Sequence, residues 1–164
     1  MNAIKLVSDP VSREDINALC AWLQHETTPQ LSKGNLTRQF EERWAFETKR
    51  KFSVFCNSGS SANLLMTTAL SLRQGVGEVI VPAIAWSTSY APLVQCGWKL
   101  KFVDIDRETL NYDIAALKSA YAGHELILAV NLLGNPNEFS EFPSMTMLED
   151  NCESMGAEYD GRKT

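Results

Sequence analysis

The 164 residues are 45% hydrophobic and 21% charged, the balance of a globular chain long enough for one compact core. A formal net charge of −5 and a sequence pI near 5.1 argue against the basic face that nucleic acid or an anionic membrane surface requires, and point to small molecules or proteins as partners. No stretch approaches the roughly 18 apolar residues of a membrane span, and the opening MNAIKLVSDP has too short an apolar run for a signal peptide, so a cytoplasmic setting is expected.

In chain order, Ser12-Arg13-Glu14-Asp15 has the form of a capping box, and Ile16, Leu19, Cys20 and Leu23 then make one apolar face up to about residue 26. Residues 27–34, with Pro29 and Gly34, read as a loop. Thr37 is placed to cap a second helix in which Phe40 and Trp44 share a face. Neither helix carries obvious chemistry. From Phe52 onward, short and nearly continuous apolar runs (52–56, 78–81, 100–103, 126–130 and 145–148) alternate with helical patterns (60–73, 87–96 and 113–121). Runs of that kind are strands buried on both faces, and the βα order predicts an α/β fold with a mostly parallel sheet, flanking helices and right-handed crossovers. The link from Val130 to Met145 is short and holds Pro136 and Pro143, so a loop or a single turn is expected there in place of a helix.

Four cysteines (Cys20, Cys56, Cys96 and Cys152) are scattered with no CxxC pair, and three of them lie in apolar or helical patterns. They read as reduced core thiols. His25 and His124 are far apart in sequence, which argues against a histidine-rich metal site.

Ligands of such sheets bind beyond the carboxyl ends of the strands. Three stretches occupy that position. The first is Asn57-Ser58-Gly59-Ser60-Ser61-Ala62-Asn63, which opens a helix carrying Ala62, Leu65, Ala69 and Leu72 and stopping at Gly75. It matches neither the P-loop, nor GxGxxG, nor GxSxG. One reading is an anion cradle made of first-turn amides and hydroxyls; the other is an ordinary N-cap by Ser58 or Ser60. The second stretch ends on Trp86, either simple packing or a flat face at the sheet rim. The third holds Asp150 after an apolar run, either a loop carboxylate capping nearby amides or the partner of a cationic group. A phosphate-sized turn, an aromatic plane and a carboxylate together describe a site for a phosphorylated aromatic cation, of which pyridoxal phosphate is one.

The blocks LSKG with FEERWA, NSGSSANL, GEVIVPAIAWSTSYAPL, KFVDIDRETLNYD, NLLGNP and LEDNCESMGAEYDGR, taken in order from about Leu31, resemble the DegT/DnrJ/StrS sugar aminotransferases. These are pyridoxal-phosphate enzymes of fold type I that act on nucleotide-linked keto sugars in polysaccharide and deoxyamino-sugar biosynthesis. The resemblance implies a helical segment over residues 1–50 and part of the cofactor-binding large domain over 51–164. It implies pyridoxal 5'-phosphate as cofactor, a nucleotide-linked keto sugar and an amino-acid donor as substrates, and a homodimer for the complete enzyme.

Carried over by position, the resemblance assigns the cofactor phosphate to Gly59, Ser60 and Ser61, with Ser60 where the family often has Thr. Trp86 matches the aromatic that stacks on the pyridine ring. Asp150 matches the carboxylate paired with the ring nitrogen, where a protonated nitrogen makes the ring an electron sink. Glu153 falls where most transaminases of the family place a Gln near the cofactor's 3-oxygen, and an ionised carboxylate cannot donate to a phenolate. NSGSSANL, LGNP and an acid three residues after Asp150 also resemble the 3-dehydratase branch, which uses His where transaminases use the Schiff-base Lys. The family carries that residue on a later strand, so none is expected here: Lys163 reads as a solvated hairpin residue and Lys33 as a loop charge. A sugar aminotransferase is thus the first reading. The 3-dehydratase branch and a non-catalytic binding domain are the alternatives.

Overall fold

The computed structural model describes residues 10–25, 29–142 and 146–163, in two compact units, residues 1–40 and 41–164. In the first unit, α1 (Arg13–His25) has the expected capping box: Asp15 N–H donates to Ser12 Oγ at 3.1 Å and Ser12 N–H to Asp15 Oδ2 at 2.8 Å. Helix α2 (Asn35–Glu47) starts before Thr37, which lies in its first turn and is not the cap. Gly34 holds that place, its carbonyl accepting from Arg38 N–H at 3.2 Å, and a Cβ there would sit 3.2 Å from Gln30. Glycine both tolerates the cap position and removes that crowding.

The second unit is built on four parallel strands in the order β2-β1-β3-β4: β1 (Glu78–Pro82), β2 (Lys99–Val103), β3 (Leu126–Val130) and β4 (Met147–Asp150). Helices α3 (Gly59–Gln74), α4 (Ser87–Gln95) and α5 (Ile114–Ala120) complete the predicted βα alternation. The expected start of the last strand, Met145, lies outside the described residues. The β3–β4 link forms two single 3-10 turns, Leu132–Gly134 and Phe139–Glu141, as its prolines predict. Because side chains alternate along a strand, the sheet has two apolar faces. Val79, Val81, Leu126, Leu128, Val130 and Leu148 pack with Leu70 of α3 and Leu93 of α4. Ile80, Val103 and Ile127 face the other way, toward Leu117 of α5 and Tyr112. The Tyr112 hydroxyl lies 2.7 Å from the Leu128 carbonyl and 3.1 Å from that of Ile80, placing its proton between two central strands. A hairpin, β5 (Glu158–Tyr159) and β6 (Arg162–Lys163), turns at Asp160-Gly161, both with positive φ, as a two-residue turn of this kind requires.

Two expectations are corrected. Residues 52–56 form no strand and have no regular secondary structure, with Phe52 76% exposed. Two hydrogen bonds from this stretch go to α2: Ser53 Oγ donates to the Glu41 carbonyl at 2.6 Å and Phe55 N–H to Glu41 Oε1 at 2.8 Å. A strand is defined by its ladder, and an apolar run alone does not supply one. The cysteines are free thiols as expected, but none is fully buried: Cys20 and Cys152 are exposed and Cys56 and Cys96 half-buried, with Cys96 alone of the four packed against the core cluster of α3, α4 and the sheet. They occupy helix surfaces and loop ends, not the strand interiors that fill the core.

Candidate functional site

The chain order β1, β2, then β3 on the far side of β1 puts a reversal of winding between β1 and β3, and a crevice opens at the carboxyl end of such a reversal. Trp86 follows β1, Asn131 follows β3, and Asp150 is the last residue of β4. All three strand ends therefore deliver polar or aromatic groups to one edge.

Asp150 is half-buried and its carboxylate is met by donors on both oxygens. Oδ2 accepts from Asn63 Nδ2 at 2.9 Å and from Ser89 Oγ at 2.8 Å; Oδ1 accepts from Cys152 N–H at 3.2 Å. Asn63 and Ser89 are themselves buried. They belong to α3 and α4, the helices packed on the face of the sheet that Leu148, two residues before Asp150, also occupies. Neutral donors thus satisfy the carboxylate, and no Lys or Arg is hydrogen-bonded to it among the described residues. Oδ1 keeps a lone pair for a cationic donor.

The turn at the start of α3 is capped as the plainer reading predicts: Ser58 Oγ accepts from Ser61 N–H at 3.2 Å. Gly59 and Ser60, in the first turn, have amides with no intrahelical acceptor, at the positive end of the helix dipole. The cap and an anion site are compatible, because they use different amides. Gly59 also abuts the loop after β4: a Cβ on it would lie 3.7 Å from Cys152 Sγ. The helix start and the Asp150 loop are therefore neighbours.

Trp86 is 65% exposed at the cap position of α4, with its indole Nε1 donating to Glu153 Oε1 at 3.4 Å. The second oxygen of Glu153 accepts from Leu133 N–H at 2.6 Å. Leu133 and Gly134 both have positive φ, at 55° and 84°, and a Cβ on Gly134 would stand 3.0 Å from the Glu153 carbonyl oxygen. Glu153 is thus an acceptor tied to two neighbouring loops.

An open cavity of about 770 Å³ is lined by Gly59, Asn63, Glu149, Asp150 and Cys152 among others. Trp86 is not part of that lining. It joins the site through Glu153, and through Ser89, three residues along in α4. Of the residues singled out from sequence, the fold gathers Gly59, Asp150, Trp86 and Glu153 at one sheet edge, with Ser60 and Ser61 beside Gly59. Sequence reasoning missed Asn63, Ser89 and Asn131. Asn63 lay within the NSGSSANL block and Ser89 in the first turn after Trp86, but nothing local said that both would meet Asp150.

A parallel α/β sheet with a carboxylate, a helix start and an aromatic ring at one carboxyl edge has these groups where folds of this class place their ligands. The family model described as the DegT/DnrJ/EryC1/StrS aminotransferase family matches residues 11–164, and the chain belongs to that family. It is 43% identical to a GDP-4-keto-6-deoxy-D-mannose 3-dehydratase of Yersinia pseudotuberculosis, over 96% of this chain and 42% of that protein. With a protein of the same name from Escherichia coli O55:H7 the identity is 47%, over 79% of this chain and 36% of that one. Among solved structures, it superposes on a GDP-4-keto-6-deoxymannose-3-dehydratase crystallised with a trapped PLP-glutamate geminal diamine. The TM-score is 0.86 and the identity 40%, over 98% of this chain and 44% of that one. The expected fold is therefore that of a pyridoxal-phosphate enzyme of fold type I. The chain spans about two-fifths of the length of the curated relatives it matches. Among the described residues no helix is long and apolar enough to cross a membrane, and no cluster of His, Cys, Asp and Glu could hold a metal ion.

Proposed function

We propose that this chain is the cofactor-binding part of a pyridoxal-phosphate enzyme acting on a nucleotide-linked keto sugar. The single observation that carries the reading is Asp150, a carboxylate at a strand end, held by Asn63 and Ser89 and free of any basic hydrogen-bond partner among the described residues. A protonated pyridine nitrogen is the donor such a group lacks. The remaining residues suit the rest of the molecule: Gly59 and Ser60 offer amides to the phosphate with Ser61 beside them, Trp86 offers an exposed ring face, and Glu153 steadies that ring from the side. Residues 51–164 would belong to the large domain and residues 1–50 to a helical N-terminal segment.

When bound, pyridoxal phosphate supplies an electron sink for charge developing on the substrate. Asp150 would favour the protonated ring nitrogen, and the α3 start would anchor the phosphate end. Glu153 is an acceptor where the transaminases place an amide, and the Yersinia and Escherichia coli relatives described above, at 43% and 47% identity, are 3-dehydratases. Both favour removal of the sugar's 3-hydroxyl over amino transfer as the net reaction. Glutamate as amino donor, a homodimer and a cytoplasmic setting complete this reading, the first supported by the glutamate adduct of the solved relative.

The test is an absorbance titration of the full chain with pyridoxal phosphate, beside Asp150→Asn. Saturable binding that weakens in the variant is expected; no saturable change in the wild type overturns the reading. For the complete gene product, incubation with a GDP-linked 4-keto-6-deoxy sugar and glutamate separates the branches. A 3-deoxy product supports the dehydratase, and an amino sugar supports the aminotransferase.

A further inference from the structure

We propose that Asn131 is a positioning residue for Asp150, gripping the side chains on both flanks of that carboxylate from the end of the neighbouring strand; its bearing on chemistry rests on the cofactor reading above. Asn131 is 1% exposed and follows directly on β3. Its main-chain N–H donates to the Asp150 carbonyl at 3.1 Å, extending the β3–β4 ladder by one rung. Its side-chain Nδ2 donates to Glu149 Oε1 at 2.9 Å and to Asn151 Oδ1 at 2.5 Å. An amide nitrogen has two hydrogens, and both are used. The Ser154 hydroxyl, 3.4 Å from Nδ2, gives its own proton to Asn151 Oδ1 at 3.0 Å.

The acceptor side is equally committed. Asn131 Oδ1 receives Asn137 N–H at 3.0 Å and Asn137 Nδ2 at 2.9 Å, and Asn137 Nδ2 also lies 2.9 Å from the Val130 carbonyl. Turning the Asn131 amide over would set acceptor against acceptor at Glu149 and donor against donor at Asn137. The side chain therefore has one orientation.

Strand geometry explains why this grip reaches Asp150, which Asn131's side chain does not touch. Side chains alternate, so Glu149 points to the face opposite Asp150. Leu148 packs with α3 and α4, and Asp150, two residues on, alternates onto its face; Met147 packs on the α5 side, Glu149 alternates with it, and Asn151, just past the strand, meets the same Asn131 amide as Glu149. Asn131 holds both Glu149 and Asn151, fixing the rotation of the strand end about its own axis. Asp150 is then presented to Asn63 and Ser89 with one degree of freedom removed. An apolar residue at 131 would fill the space but leave that rotation unset.

Asn131→Asp is the discriminating variant, since it keeps the acceptor that Asn137 uses and removes both donors. In amide hydrogen exchange on the full chain without cofactor, the Cys152 N–H, which reports on Asp150 Oδ1, is expected to exchange about tenfold faster, the weight of one hydrogen bond. Val79 and Val81 in β1 should keep their rates. No change at Cys152, or an equal rise in β1, overturns the proposal. Should Asn131→Asp fail to fold, Glu149→Met removes one of the two gripped side chains; a rise of about threefold confined to Cys152 is expected, roughly half a hydrogen bond's weight, and an unchanged rate overturns it. In a pyridoxal phosphate titration, Asn131→Asp should weaken binding about tenfold alone and add nothing beside Asp150→Asn. Additive losses would show that Asn131 does not act through Asp150. If the wild type binds no cofactor, the functional reading falls, and the exchange result still decides the role of Asn131.

Discussion

Asn63 and Asp150 stand 87 residues apart in the chain and meet side chain to side chain, Nδ2 to Oδ2, at 2.9 Å. One comes from the second turn of a helix and the other from the last residue of a strand. Their contact ties α3 to the carboxyl edge of the sheet and sets the direction of the carboxylate proposed to receive the cofactor.

Replacing Asn63 by Leu keeps its branched shape and removes that donor. The half-buried carboxylate then relies on Ser89 and the Cys152 amide, and the loss is expected to be about 1.5–3 kcal/mol of unfolding free energy, as for a hydrogen bond to a charged group. Urea denaturation at neutral pH measures it. A variant as stable as the wild type would mean that solvent already satisfies Asp150.

Ser60→Asp puts a negative charge in the first turn of α3, where the phosphate is proposed to sit. A carboxylate at a helix start is favourable in itself, so folding should be unimpaired. Binding of pyridoxal phosphate should nevertheless be abolished, because like charges would share one site. Titration of a variant with unchanged thermal stability separates the two effects, and undiminished binding would leave the turn as a helix cap only.

Glu125, at the entry to β3, has a side chain only 1% exposed. Burial raises its pKa, but the N–H groups of Ala122, Glu125 and His124, with Lys101, outweigh that and hold it at about 2, below the ordinary 4.5. A depressed carboxylate stabilises the fold fully above pH 4.5 and progressively less as pH falls toward 2. The contribution is about 3 kcal/mol at roughly 1.4 kcal/mol per unit. Urea denaturation from pH 7 to pH 2 should show the decline, and Glu125→Gln should lower stability at pH 7 and flatten the profile in that window. A variant with the wild-type profile would remove Glu125 as its source.

Tyr112→Phe removes the hydroxyl shared by the Ile80 and Leu128 carbonyls without changing the ring. Burial holds the phenol's pKa well above its ordinary value, so it remains the neutral donor at any working pH. The expected loss is about 1 kcal/mol or somewhat more, read as a lower thermal midpoint. An unchanged midpoint would show that the two carbonyls are satisfied without it.

The strands and helices of the βα half were legible because each is a local pattern. A five-residue apolar run such as 126–130 has no soluble alternative, and the capping box at Ser12 and the prolines between Val130 and Met145 act within a few residues. Six ordered blocks likewise disclosed the family. Residues 52–56 misled for the complementary reason: apolarity shows that a segment seeks burial, whereas a strand needs a neighbour in register, which composition does not supply.

From the sequence alone came the fold class, the family resemblance and the names of Gly59, Trp86, Asp150 and Glu153. Tertiary structure alone decided what those residues touch. Asn63, Ser89 and Asn131 lie in three separate segments, and each reaches the end of β4 only because parallel strands bring their carboxyl ends to one edge. A hydrogen bond has a reach of about 3 Å and a direction, so its partner is set by where the packed sheet puts two atoms, and residues far apart in the chain carry no local signal of that meeting.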